Sequence, residues 1–377
     1  SGYLDFNATT PVDPRVADVV RHFMEVEFGN AGSRTHGFGQ TAASAVEAAR
    51  RTVAEVAGVA SDSVIFTSGA TEANNLAILG LSAFRPASGL APHVITTAVE
   101  HKAVLEPVAE LRRRYGFDID VLPVDDAGRV DPAAIRELLR PETALVSTMH
   151  ANNETGTIQP IAEIAEILDG HGAYWHVDAA QTFGKLPRTA LPPRVDLIAL
   201  SAHKVFGPKG VGALIVRKRQ YERPPLVPLM FGGGQERGLR PGTSPVALIA
   251  GFGEAVRLAD AERVQRTEAC LVERARGETA LAPISVVNGS TSDRLAHVLN
   301  VSVVGLDAEA AILLLRDHVA ISNGSACTSA SYTPSHVLTA MGLSEERVES
   351  ALRISWGHQT PSIPWDSIAA VLSGAMR

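Results

Sequence analysis

Cysteine is nearly absent from this sequence: of 377 residues, only Cys270 and Cys327 carry a thiol. Two thiols permit at most one disulfide and exclude a four-cysteine zinc centre, and they suit a reducing cytoplasm. Lysine is almost as scarce. The basic residues are mostly arginine, and the only lysines are Lys102, Lys185, Lys204, Lys209 and Lys218. Lys185, Lys209 and Lys218 stand beside Pro, Gly or Arg and read as exposed turn or strand-end residues. No basic run is longer than Arg217–Arg219, and the net charge of −7 argues against direct nucleic-acid binding. No apolar stretch reaches membrane-spanning length, and no signal peptide precedes the globular pattern, so no membrane role is expected. A P-loop is missing too, since GPKGVG (207–212) lacks the closing Lys-Ser/Thr, and no GxGxxG opens a helix after a strand. His, Asp and Glu show no ligand-spaced cluster, so no metal is expected.

What remains is an ordinary globular composition, 45% hydrophobic and 20% charged, enough for a full core. The length calls for a large domain and a smaller one. Residues 14–28 and 40–57 have helical spacing. Strand-like runs then alternate with helical segments at Val64–Thr67, His93–Ala98, Ile119–Pro123, Ala144–Met149, Trp175–Asp178, Leu197–Leu200 and Val211–Val216. That alternation predicts an α/β fold with a seven-stranded, mainly parallel sheet covered on both faces. A helix near Val246–Ala259 is followed by short strands (Ile284–Val287, His297–Ser302) and a helix at Ala308–Leu315. The expected division is residues 15–254 for the large domain, with 1–14 and 255–377 forming a smaller α+β domain.

The chemistry centres on LIALSAHKVFGPKGVGALIVRK (197–218), two apolar runs joined by a glycine- and proline-rich turn. Lys204 stands at the head of that turn with Ser201 and His203. Either Lys204 points into solvent, or its partly dehydrated amine forms a Schiff base with a carbonyl cofactor. Val64–Thr67 leads through Ser68-Gly69-Ala70-Thr71 into a helix, which offers free N–H groups to an anion or is a plain helix cap. Asp178 ends an apolar run, where it caps a helix or meets a cation such as a pyridinium nitrogen. His101 and Asn152–Asn153 follow strands in the same way. All these groups fall at the C-terminal ends of strands, the edge at which open α/β sheets bind ligands. Cys327 lies in ISNGSACTSA (321–330), a polar, glycine-containing loop without apolar periodicity, ahead of a helix expected to start at Thr333-Pro334. Cys270, in the helical pattern ACLVERA, reads as a packing residue.

The sequence resembles the group I cysteine desulfurases, the NifS/IscS type within the pyridoxal-phosphate class V aminotransferase group. The likeness runs from Tyr3 to Gly357. It rests on YLDFNATTPVDP (3–14), FGNAGSRTHGFG (28–39), FTSGATEANNLAI (66–78), EHKAV (100–104) and ANNETG (151–156). HVDAAQ (176–181), SAHKVFGPKGVGAL (201–214), RPGTSP (240–245), NGSACTSAS (323–331) and LRISWG (352–357) complete it.

The resemblance implies a type I pyridoxal-phosphate transferase fold and conversion of L-cysteine to L-alanine, with a persulfide on Cys327 passed to an acceptor protein. It implies that Lys204 links pyridoxal 5'-phosphate, Asp178 pairs with the ring nitrogen, Gln181 bonds the phenolic oxygen and His101 stacks on the ring and shuttles protons. Ala70, Thr71, Ser201 and His203 would hold the phosphate, joined by Thr243 from the other subunit of a homodimer. Asn153 and Arg353 would take the substrate carboxylate. Asn323 stands where the motif usually carries Ser, a departure expected to alter the loop. The sequence ends at Arg377, soon after Gly357, shorter than housekeeping members whose extension helps dock a scaffold. The expected outlets for sulfur are therefore a specialised route such as DNA phosphorothioation as well as iron–sulfur cluster or thio-cofactor synthesis. A lyase or aminotransferase of the same fold would use Lys204 without Cys327, and a sulfur carrier would need Cys327 without Lys204.

Overall fold

A computed structural model describes residues 2–323 and 333–376. The first strand, β1 (Gly2–Tyr3), belongs to a small two-stranded unit. Seven strands then build the main sheet: β2 (Val64–Thr67), β3 (His93–Thr97), β4 (Asp118–Leu122), β5 (Thr143–Met149), β6 (Tyr174–Asp178), β7 (Leu197–Ser201) and β8 (Gly212–Val216). Their order is β2-β8-β7-β6-β5-β3-β4, and β8 alone runs against the others. Each of the seven expected runs forms one of these strands, to within a residue or so at either end. Strands β2, β3, β5, β7 and β8 are buried throughout, which explains their continuous apolar character in place of alternation.

Helices cover both faces. α1 (Pro14–Glu25) and α2 (Gly37–Ala57) pack beneath α7 (Val246–Ala261), while α3 (Ala70–Leu79) and α4 (Lys102–Tyr115) lie together on the other side. α5 (Pro132–Leu138) and α6 (Ile161–Leu168) complete this unit. α2 turns Ala42, Val46, Ala49 and Val53 inward at helical spacing. Trp175, Val177, Ile198 and Leu200 are fully buried between the layers. Each such side chain contributes about 1.5–3 kcal/mol by leaving water. α7 carries Ala255, Val256, Leu258 and Ala259 into this same core, so the apolar packing continues past residue 255.

A second core gathers Leu4, Cys270, Val301, Leu315, Leu352 and Trp356. It is built by α8 (Arg263–Leu281), a three-stranded antiparallel sheet of β9 (Val286–Val287), β10 (Val298–Ser302) and β12 (Ala351–Ser355), and α9 (Ala308–Leu315). β11 (Val319–Ala320) pairs with β1, and α10 (His336–Ala340), α11 (Glu345–Glu349) and α12 (Trp365–Ala375) follow. α10 begins at His336 and is capped by Ser335, whose hydroxyl accepts the Leu338 N–H, and so it starts later than Thr333-Pro334 suggested. Among the described residues no helix is long and apolar enough to cross a membrane.

The N-terminal segment ties the two cores. Asn7 N donates to Ser355 Oγ at 2.9 Å on the small sheet. Thr10 N donates to His203 O at 3.0 Å, and Asp13 N to Phe206 O at 2.9 Å, on the turn after β7. Residues 5–9 therefore pass directly beside Lys204.

Candidate active site

A cavity of about 680 Å³ opens at the C-terminal edge of the main sheet. Lys204 enters it from a single 3-10 turn, Ala202–Lys204, at the end of buried β7. Its Nζ donates to the carbonyls of Asn7 and, at 2.9 Å, Ala8. Burial, followed by the nearby Arg353 charge, lowers this amine to about 8, against the pull of Asp5 and Asp178. A lysine pointing into solvent would show none of this.

Asp178 ends β6 and is 8% exposed. Its Oδ2 accepts from Asn74 Nδ2 at 2.7 Å, and its Oδ1 from the Ala180 N–H at 2.9 Å. The chain beyond it makes turns, so this carboxylate caps no helix. Among the described residues no cation lies within salt-bridge distance of it. Gln181 is buried, donates from Nε2 to Asn7 O at 3.0 Å and leaves Oε1 without a partner. An amide NH₂ carries two donors, so one remains for a further acceptor.

The anion cradle forms where β2 meets α3. The Gly69 cap has φ 157° and ψ −179°, a conformation essentially reserved for glycine. A Cβ on Gly212 would lie 2.3 Å from Leu200 O and 2.7 Å from Gly69 Cα, so two glycines let the turn sit against β8. No side chain caps α3, which leaves the first N–H groups, at Ala70 and Thr71, to the cavity. Ser201 Oγ is buried there with no partner. His203 Nδ1 lies 3.1 Å from Thr9 Oγ1, and burial, with the charges of Lys204, Lys209 and Lys185, holds the imidazole down to about 4. It is therefore neutral at physiological pH.

His101 caps α4 with its own ring: Nδ1 accepts from the Ala103 N–H at 3.0 Å, which fixes the proton of the neutral ring on Nε2. Burial lowers its pKa, opposed by Asp178. Arg353 reaches in from β12, only 5% exposed, donating from Nη2 to Asp5 Oδ1 at 2.7 Å and from Nη1 to Asn153 O at 3.3 Å. Its Nε has no partner.

The cavity thus unites Lys204, Asp178, Gln181, His101, Ala70, Thr71, Ser201, His203, Asn153 and Arg353. Thr243 is exposed and does not line it within this chain. Cys327 lies outside the described residues. Sequence reasoning missed Asn74, whose signal was its place one turn after Thr71 on the same helix face. It also gave no role to Asp5 and Asn7, which sit in the quoted N-terminal motif but act only through contacts distant in sequence. Lys185 is a correction. Its Nζ lies 3.1 Å from His297 Nε2, and burial lowers it to about 7, so it is no exposed turn lysine.

A family model described as Aminotransferase class-V matches residues 2–362. The chain belongs to the class-V aminotransferases. A class-V relative named cysteine desulfurase IscS, from Anaeromyxobacter sp. (strain Fw109-5), is 45% identical across 100% of this chain and 92% of its own. The crystal structure of DndA from Streptomyces lividans is 49% identical with a TM-score of 0.82, covering 94% of this chain and 99% of that one. A structure of SspA in complex with cysteine is 36% identical with a TM-score of 0.83, covering 96% and 100%.

The class-V cofactor is pyridoxal 5'-phosphate, and the residues present fit it. An uncapped helix start and the unpartnered Ser201 hydroxyl suit its phosphate. A lowered lysine amine suits its aldehyde, the buried Asp178 its ring nitrogen, and the spare Gln181 donor its phenolic oxygen.

Proposed function

We propose that this chain is a pyridoxal-phosphate-dependent cysteine desulfurase that converts L-cysteine to L-alanine, using Cys327 as sulfur acceptor. The observation that carries the reading is the shared cavity of Lys204 and Arg353. One offers an amine lowered to about 8, and the other a buried guanidinium with an unused Nε–H. A substrate carboxylate received by Arg353, with Asn153 beside it, brings an α-amino acid to the lysine.

The bound cofactor supplies an electron sink that makes Cα acidic and the Cβ–Sγ bond labile. Lys204 then serves as the base that takes the Cα proton, for which an amine near neutrality is well matched. Asp178, kept in place by Asn74, balances positive charge at the ring nitrogen. His101, with its neutral ring presenting Nε2–H, handles protons beside the leaving sulfur. The Cys327 thiolate attacks Sγ, so that cysteine and a thiol become alanine and a persulfide, with atoms and electrons balanced. An acceptor protein removes that sulfur afterwards.

The enzyme works as a homodimer in which Thr243 of each chain completes the other's phosphate site. Exposed Phe231 and the stacked pair Phe28 and Phe38, 5.4 Å apart, support such a contact, because large apolar groups in a soluble chain call for cover. The cytoplasm is its compartment, in keeping with a sequence of only two cysteines.

The experiment is L-alanine production from L-cysteine, paired with borohydride fixation of the cofactor and peptide mapping. Alanine formation with the fixed cofactor on Lys204 is expected. A fixed cofactor on Lys102 or Lys209, or pyruvate in place of alanine, would refute the reading.

A further inference from the structure

A second cavity, of about 70 Å³, lies between the two cores and shares no lining residue with the larger one. Phe6, Phe206, Leu295 and Ala259 give it an apolar lining. Lys185 and His297 meet in its lining at 3.1 Å, within hydrogen-bond distance. Lys185 follows the turn after β6, its N–H bonded to Thr182 O, and His297 stands just before β10 with its carbonyl held by the Trp356 N–H. Both partners are thus fixed by their own backbones.

The neighbouring groups leave this pair as the reactive one. Arg266 is committed to Glu262 at 2.7 Å and lies 5.4 Å from the Phe206 ring centroid, so it is not free to hold an anion. The Cys270 thiol is pushed up to about 11 by burial and stays protonated. Burial, with the charge of Lys204 second, brings the Lys185 amine down to about 7. Burial holds His297 far below its ordinary value, so its ring is neutral and Nε2 accepts an Nζ–H.

We propose that Lys185 is a second covalent amine site, where a short apolar aldehyde enters the cavity and condenses with Nζ. The Nζ lone pair forms a bond to the carbonyl carbon as the C=O π bond breaks. The Nζ proton passes to the oxygen as the carbinolamine forms, and loss of water leaves an imine, with His297 holding the amine in place by accepting its other N–H. Nothing is oxidised or reduced. A water needs about 10–15 Å³ by the same measure, so the cavity admits roughly five such groups, the size of a four-carbon aldehyde.

The test uses the holoenzyme at pH 7 with butanal and cyanoborohydride, followed by peptide mass spectrometry over time. Lys185 should be alkylated at least about tenfold faster than exposed Lys102 and Lys209. Equal or slower labelling of Lys185 would overturn the proposal. Pyrene-1-carboxaldehyde, too large for the cavity, should label Lys102 and Lys209 and spare Lys185. Labelling of Lys185 by both aldehydes alike would also overturn it, because the amine would then be reacting outside the cavity.

Discussion

Asn74 and Asp178 meet at 2.7 Å, an amide on α3 holding a carboxylate at the end of β6. The anion cradle at the start of α3 and the carboxylate that would pair with the cofactor's ring nitrogen are therefore tied together by one hydrogen bond. Asn74 is fully buried, and among the described residues its side chain bonds Asp178 alone, so it acts as a positioning residue for Asp178.

Asn74→Ala should weaken cofactor binding without removing the lysine linkage. A buried acceptor left unsatisfied costs about 1–3 kcal/mol, which corresponds to a loss of cofactor affinity of roughly fivefold to a hundredfold. Equilibrium titration of the apoprotein with pyridoxal phosphate checks this. Unchanged affinity would mean that Asp178 holds its place without Asn74.

Glu100 is buried beside His101, accepts from Thr97 Oγ1 at 2.8 Å and the Met149 N–H at 2.7 Å, and leaves Oε2 unpartnered. Burial raises its carboxyl to about 8. The folded state therefore binds the extra proton between the ordinary carboxyl range and about 8. Stability from this group is full below pH 4.5 and is lost as pH rises through about 8. Glu100→Gln, with no proton to lose, should gain on wild type across that window, by on the order of a few kcal/mol at most. Urea midpoints at pH 5 and pH 8.5 measure the difference, and a constant gap would contradict the assignment.

Arg353→Lys keeps the positive charge but loses the planar fork that reaches both Asp5 and Asn153. KM for L-cysteine should rise, and kcat/KM should fall by roughly one to two powers of ten, with the cofactor still bound. Steady-state kinetics beside the cofactor spectrum separate the two effects. A changed spectrum with unchanged KM would move Arg353 from the substrate to the cofactor.

Thr243 provides a test of the shared site. Mixing Thr243→Ala chains with Lys204→Ala chains gives hybrids in which one site carries both lesions and the other neither. Activity should recover on mixing. Hybrid activity near the average of the two variants would contradict a contribution across the interface.

Much of this arrangement was legible in the sequence because it depends on local patterns. Buried strands read as continuous apolar runs, and Ala308–Leu315 falls on the expected helix. Chemistry at strand ends could be placed once those runs were found, as Lys204 and Asp178 show. Lys185 was misread for a physical reason. Its neighbours Gly184 and Pro187 signal a turn, but the turn is covered by His297, more than a hundred positions along the chain. Arg353 and Asp5, and Asn7 and Gln181, likewise meet across the molecule with no local signature. Contacts of that kind come only with the fold.

Cys327 carries the central claim. With L-cysteine supplied and no acceptor protein present, mass spectrometry of the intact protein and its peptides should find one added sulfur on the Cys327 peptide and none on Cys270. Cys327→Ser should still bind the cofactor and change its spectrum with L-cysteine, yet release almost no sulfur. A Cys327→Ser enzyme that retained most of its desulfurase activity, with no added sulfur on wild-type Cys327, would contradict the account and leave a simple lyase in its place.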